Sequence, residues 1–152
     1  MALFEAEVVL PCSLEGLFEF LLRPANVEKI SDPRLGLTFV DPPEVVTVGS
    51  RIVFKVQGYG VVQTIEHQIT EVVAPRLIVE EQVKGPMRSW RHEHHLEPQM
   101  QGTRMFDQIR FEPPGGVLGF LVKESAILDG LEDGFEHRKE ELLRLARAGE
   151  IR

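Results

Sequence analysis

Five side chains of this sequence have the types and spacing for acid–base or metal chemistry: His67, Glu81, His92, His94 and Asp107. The stretch that brings most of them together is Trp90-Arg91-His92-Glu93-His94-His95-Leu96-Glu97. Successive side chains of a strand face opposite sides. Read that way, Trp90, His92, His94 and Leu96 share one face, while Arg91, Glu93, His95 and Glu97 share the other. The charged set belongs in water, so the first set turns inward. Alternation in the neighbouring strands adds His67 beside Ile65 and Ile69, Glu81 beside Leu77, Val79 and Val83, and Asp107 beside Met105 and Ile109. A one-residue slip or bulge reverses such an assignment.

Burying a polar group without a partner costs about 1–3 kcal/mol. Three uses of the inward set follow. Glu81 and Asp107 neutralise and orient His92 and His94 as a structural network. Or the set forms the polar end of an apolar pocket. Or a histidine with a carboxylate partner acts as general acid and base, with His92, His94, Asp107 and Glu81 as the catalytic candidates. No nucleophile motif accompanies the pair. His92 and His94 with Asp107 also make a His/His/carboxylate set of the kind zinc or iron accepts. A His-x-His pair is common in strands, so this reading assigns neither metal nor cofactor. Cys12, beside Pro11, lacks the base a catalytic thiol requires and reads as incidental.

The elements that must position these groups follow from punctuation and period. Residues 3–10 alternate as a strand that Pro11 ends. Ser13 caps a helix over 14–22, and Pro24 opens a second to about Ile30, closed by Asp32-Pro33. Short β pieces at 37–40 and 44–48 flank Pro42-Pro43. Strands are predicted at 51–57, 61–73, 77–83, 87–97 and 103–112, with a glycine turn at Gly58-Tyr59-Gly60. After Pro113-Pro114-Gly115-Gly116, one long helix is predicted from Val117 to about Ala148. Its stripe is Leu118, Leu121, Val122, Ser125, Leu128, Leu131, Phe135, Leu142 and Leu145, and its far half is charged on the other face. Gly130 and Gly134 inside it mean either a bend or a close approach by ligand or strand.

The 152 residues form a single domain, 1–152, able to bury about 70% of the surface of the unfolded chain. A net charge of −7 argues against nucleic acid and anionic membrane as partners. The sequence has neither an apolar run of membrane-spanning length nor a signal-peptide pattern, and a single cysteine suits a reducing cytoplasm. The element order is α+β: a curved antiparallel sheet, two short helices after the first strand, and a long helix across the sheet.

This order, with Glu81 to His94, Leu96-Glu97-Pro98, Gly102-Thr103-Arg104-Met105, Asp107, and Phe135 with Arg138, resembles the SRPBCC superfamily, the START-like or helix-grip fold. The resemblance is greatest to the bacterial branch similar to polyketide cyclase/dehydrase, lipid-transport and coenzyme Q-binding START-like proteins. Position 96 is Leu where that branch has an aromatic residue. The resemblance implies a small-to-medium hydrophobic ligand (lipid, quinone or polyketide-like) held between sheet and C-terminal helix. The expected lining is Phe54, Val56, Ile65, Val79, Trp90, Met105, Ile109, Leu121, Leu128 and Phe135, with His67, Glu81, His92, His94 and Asp107 as its polar groups. A cyclase- or dehydratase-like enzyme in the same cavity is the alternative. A fold by itself does not supply chemistry.

Overall fold

The computed structural model describes residues 1–58 and 61–152. Seven strands form one antiparallel sheet in the order β1-β7-β6-β5-β4-β3-β2. They are β1 (Ala2–Leu10), β2 (Thr38–Val40), β3 (Arg51–Gly58), β4 (Val61–Val73), β5 (Leu77–Lys84), β6 (Ser89–Gln99) and β7 (Gly102–Glu112). Tyr59 and Gly60, the centre of the expected glycine turn, lie outside the described residues. Residues 44–48 form no strand. Val46 is buried there instead, and its N–H donates to the Leu22 carbonyl.

Helices α1 (Leu14–Leu21) and α2 (Pro24–Ile30) follow β1. Ser13 caps α1 by accepting from the Gly16 N–H at 3.0 Å, and Pro24 sits in the first turn of α2. The long terminal helix is two helices, α3 (Gly116–Leu121) and α4 (Glu124–Arg147). Val122 and Lys123 are extended between them, which turns Val122 into the core and leaves Leu121 and Ser125 exposed. Among the described residues nothing approaches within 4 Å of where a Cβ on Gly130 or Gly134 would stand, so no strand packs closely against either glycine.

Helix α4 lies over the inner face of the sheet and packs on β1 and α2. Two apolar clusters flank the middle of that face. Leu10, Leu17, Ile30, Ile78, Leu96, Met105, Leu142 and Leu145 belong to one; Ala2, Ile109, Phe111, Val122 and Ile127 form the other. Between them the inner face carries the titratable side chains.

Candidate functional site

Register places the polar groups. His92 and His94 on β6 face Ile109 and Asp107 on β7, and on the other side face Glu80 and Ile78 on β5. Glu80 therefore stands on the inner face where Glu81 was expected. Glu81 opposes Arg91 on the outer face, and their side chains approach to 3.6 Å. Val79 likewise opposes outward-facing Glu93 and, though buried, lies away from the helix. Inward alternation in β5 runs through Ile78, Glu80 and Gln82, which pair with His94, His92 and His67. Val83, which made the opposite face look apolar, is an extra residue in the pairing, because Glu66 pairs with Lys84 and His67 with Gln82.

The result is a polar strip across four strands. Asp107 Oδ1 accepts from His92 Nε2 at 2.8 Å and lies 2.8 Å from His94 Nδ1, which has no aligned hydrogen-bond partner. The two imidazoles lie 3.8 Å apart, ring centre to ring centre. At their other end, Glu80 Oε1 is 3.3 Å from His92 Nδ1 and 3.4 Å from His94 Nε2. Glu80 Oε2 is 3.2 Å from His67 Nδ1, and the His67 ring meets Phe54 edge-on at 4.9 Å. His67, His92, His94 and Asp107 are all buried.

The charges follow from these partners. Burial alone would raise the Asp107 carboxyl, but the hydrogen bond from His92, the adjacent His94 ring and the positive charge of Arg138 hold it far below the usual carboxylate range. Glu80 behaves alike: burial opposes ionisation, and the neighbouring His67, His92 and His94 rings outweigh it. For His94 burial favours the neutral ring, yet the Asp107 carboxylate raises its affinity for a proton. Burial also raises the Cys12 thiol, which keeps it protonated and unreactive.

Beside the Asp107 end of this strip a cleft of about 390 Å³ opens between β1 and α4. Its apolar wall is Phe4, Ala6, Val8, Met105, Phe135 and Leu142; Asp107 and Arg138 are the polar groups at its inner side. Of the expected lining, Met105, Asp107 and Phe135 are here. Trp90, Ile109 and Leu128 instead pack in the second apolar cluster, Leu121 points to solvent, and Phe54, Val56 and Ile65 belong to β3 and β4, away from the cleft. His92 and His94 stand behind Asp107 rather than in the cleft wall.

Arg138 was not among the expected site residues. Its Nε and Nη2 are buried without a hydrogen-bond partner among the described residues, and its guanidinium lies 5.3 Å from the centre of the Phe135 ring. The sequence carried a signal: Leu131, Phe135, Arg138 and Leu142 fall at helical spacing on the inward stripe.

No family model and no curated protein matches the chain. Solved structures do. Protein CV1439 from Chromobacterium violaceum superposes with a TM-score of 0.71 at 14% identity, over 96% of this chain and 98% of that one. Ara h 8.0201 superposes with a TM-score of 0.66 at 11% identity, over 97% and 98%. The di-domain ARO/CYC StfQ from the steffimycin biosynthetic pathway gives 0.70 at 14%, over 97% of this chain and 51% of that one. The chain has the helix-grip fold. In helix-grip terms α4 is the gripped helix, and the cleft lies where it crosses β1 at the edge of the sheet. Among the described residues no helix is long and apolar enough to cross a membrane.

Proposed function

We propose that this helix-grip protein binds a small, largely apolar molecule in the β1–α4 cleft and orients it by an oxygen that accepts from Arg138. Two buried guanidinium nitrogens of half-buried Arg138, without an acceptor among the described residues, carry the reading. Buried donors left without an acceptor are costly, and a ligand oxygen would supply it. The volume of about 390 Å³ falls at the low end for ligand pockets, which suits a ring system better than a long-chain lipid.

Charge narrows the ligand further. Glu132 and Glu136 stand around the cleft and Asp107 is ionised within it, against Arg138 and Lys139, while Glu5 and Glu7 turn to the outer face of β1, where Glu7 pairs with Arg104. An acidic ligand would meet net repulsion, so the oxygen belongs to a ketone, quinone or hydroxyl group. This favours the quinone- or polyketide-like end of the expected range, in keeping with one similarly folded protein from the steffimycin pathway.

Acid–base catalysis by the histidines has less support, because a ligand in the cleft meets Asp107 before either ring.

Titration with 2-acetonaphthone and 2-naphthoate, followed by intrinsic tryptophan fluorescence and calorimetry, tests the reading. The ketone should bind more tightly than the acid, and Arg138→Met should weaken it about tenfold, the worth of a hydrogen bond to a charged group. Equal binding of ketone and acid, or indifference to Arg138→Met, would overturn it.

A further inference from the structure

On the side of the histidine pair away from the cleft, three donors from two neighbouring strands, β5 and β6, converge. We infer that Glu80, His92 and His94 form a binding site for a divalent transition-metal cation of the zinc class, with Asp107 as the carboxylate that holds both imidazoles behind it.

The distances carry the inference. Ligands of a tetrahedral zinc lie about 2.0–2.1 Å from the metal, so neighbouring ligand atoms are about 3.3–3.5 Å apart. Glu80 Oε1 is 3.3 Å from His92 Nδ1 and 3.4 Å from His94 Nε2, and ligand atoms of the three residues all lie within 4.8 Å of one another. Were these contacts only charge-assisted hydrogen bonds, about 2.7–2.9 Å would be expected. That shorter spacing is what the same two rings show toward Asp107, at 2.8 Å each. Both rings thus stand closer to Asp107 than to Glu80, and the two Glu80 distances match the edges of a zinc tetrahedron.

The arrangement around the donors is also that of a metal site. A ligating histidine usually gives its second nitrogen to a carboxylate, which fixes its tautomer and aim. Asp107 does this for His92 through Nε2 and stands within 2.8 Å of the rear nitrogen of His94. The remaining nitrogens, Nδ1 of one ring and Nε2 of the other, both turn to the same oxygen of Glu80. A carboxylate oxygen and two imidazole nitrogens are all acceptors when the rings are neutral, so a cation between them resolves their mutual repulsion. Two imidazoles and one carboxylate suit zinc, iron and their neighbours better than calcium or magnesium. The Glu80 side chain keeps 21% of its surface exposed, which provides an entry path that the buried rings lack. Three protein donors leave a fourth position for water.

The test uses the full chain, stripped with a chelator and then titrated with Zn²⁺ by calorimetry and with Co²⁺ by visible absorption. The expected result is uptake of one equivalent, with the intense bands of low-coordinate Co²⁺. Glu80→Gln should weaken uptake at least tenfold, and Asp107→Asn about 10–100-fold, the usual cost of removing a supporting carboxylate. Cys12→Ser should leave uptake unchanged. Should Glu80→Gln fail to fold, Glu80→Asp, which withdraws the carboxylate by one methylene, reads the same loss. Absence of stoichiometric uptake, six-coordinate Co²⁺ spectra, or uptake that survives a folded Glu80 variant would overturn the inference.

Discussion

Glu80 of β5 stands directly across from His92 of β6, with its Oε1 3.3 Å from His92 Nδ1, while the next residue, Glu81, points the opposite way to Arg91. Two adjacent glutamates thus occupy opposite faces of one strand and should respond to mutation very differently. Glu80→Gln removes a charge from among three histidines and should cost about 3 kcal/mol of metal-free stability, the scale of a broken buried ion pair. Glu81→Gln removes one side of a partly exposed pair and should change stability by less than about 0.5 kcal/mol. Urea denaturation of the two variants measures both, and similar values would mean that the strip contributes no more than a surface pair.

The same network sets a pH window for the metal-free protein. The carboxyls of Asp107 and Glu80 are depressed from ordinary values of 3.8 and 4.5, so the stability they contribute is present above those values and lost as pH falls. His94 is raised from 6.5, so its contribution is complete below 6.5 and lost as pH climbs through the higher folded value. Stability should peak between about pH 4.5 and 6.5 and decline on both sides. Urea midpoints collected from acid to alkaline pH trace the curve. Asp107→Asn should flatten both limbs, since Asp107 also sustains the His94 shift; an unchanged profile would assign the pH dependence to other groups.

How much of this was legible before the structure depended on whether one face of each strand was distinct. β6 has a fully charged outer face, and its inward set of Trp90, His92, His94 and Leu96 stands where alternation put it. In β5, Leu77, Ile78 and Val79 are apolar in succession, so period two says nothing about which face is inside. Val83 then tips the choice the wrong way, because it is the extra residue of the irregular pairing and is exposed. Val79 adds to the ambiguity, being buried under charged side chains of the outer face. The single long helix failed for a related reason. Val122 and Ile127 are both buried but five residues apart, a spacing that one continuous 3.6-residue stripe does not place on one line. Arg138 figured in the resemblance but not in the expected site, because charge was read as solvation, whereas its position on the apolar stripe held the information.

Close approach in the β6–β7 hairpin makes a backbone prediction. Gly102 has φ +137°, and a Cβ there would collide with the carbonyl oxygen of Leu10. The obstruction is main chain and part of the β1–β7 ladder, so it cannot swing aside as a side chain would. Gly102→Ala should lower stability by about 2–3 kcal/mol through strained backbone and displaced pairing. Thermal unfolding checks this, and a loss under about 0.5 kcal/mol would show that the hairpin shifts freely.

The cleft can be filled without touching the polar strip. Ala6 on β1 pairs with Asp107 on β7, and its methyl group forms part of the cleft wall opposite α4. Ala6→Leu adds three carbons into the space of about 390 Å³ rather than into packed core, so the overpacking cost of a filled interior does not apply. Burying those carbons against Phe135 and Leu142 should leave stability unchanged or slightly raised, at about 0.8 kcal/mol for each methylene removed from water. Binding of 2-acetonaphthone should fall at least tenfold in the same variant, because the added side chain occupies the ligand's volume. Metal uptake at Glu80, His92 and His94 should be unaffected, since those donors lie across β7 from Ala6. Calorimetry with ketone and with Zn²⁺, run on one preparation, separates the two sites. Ketone binding that persists in a folded Ala6→Leu protein would place the ligand elsewhere on the sheet.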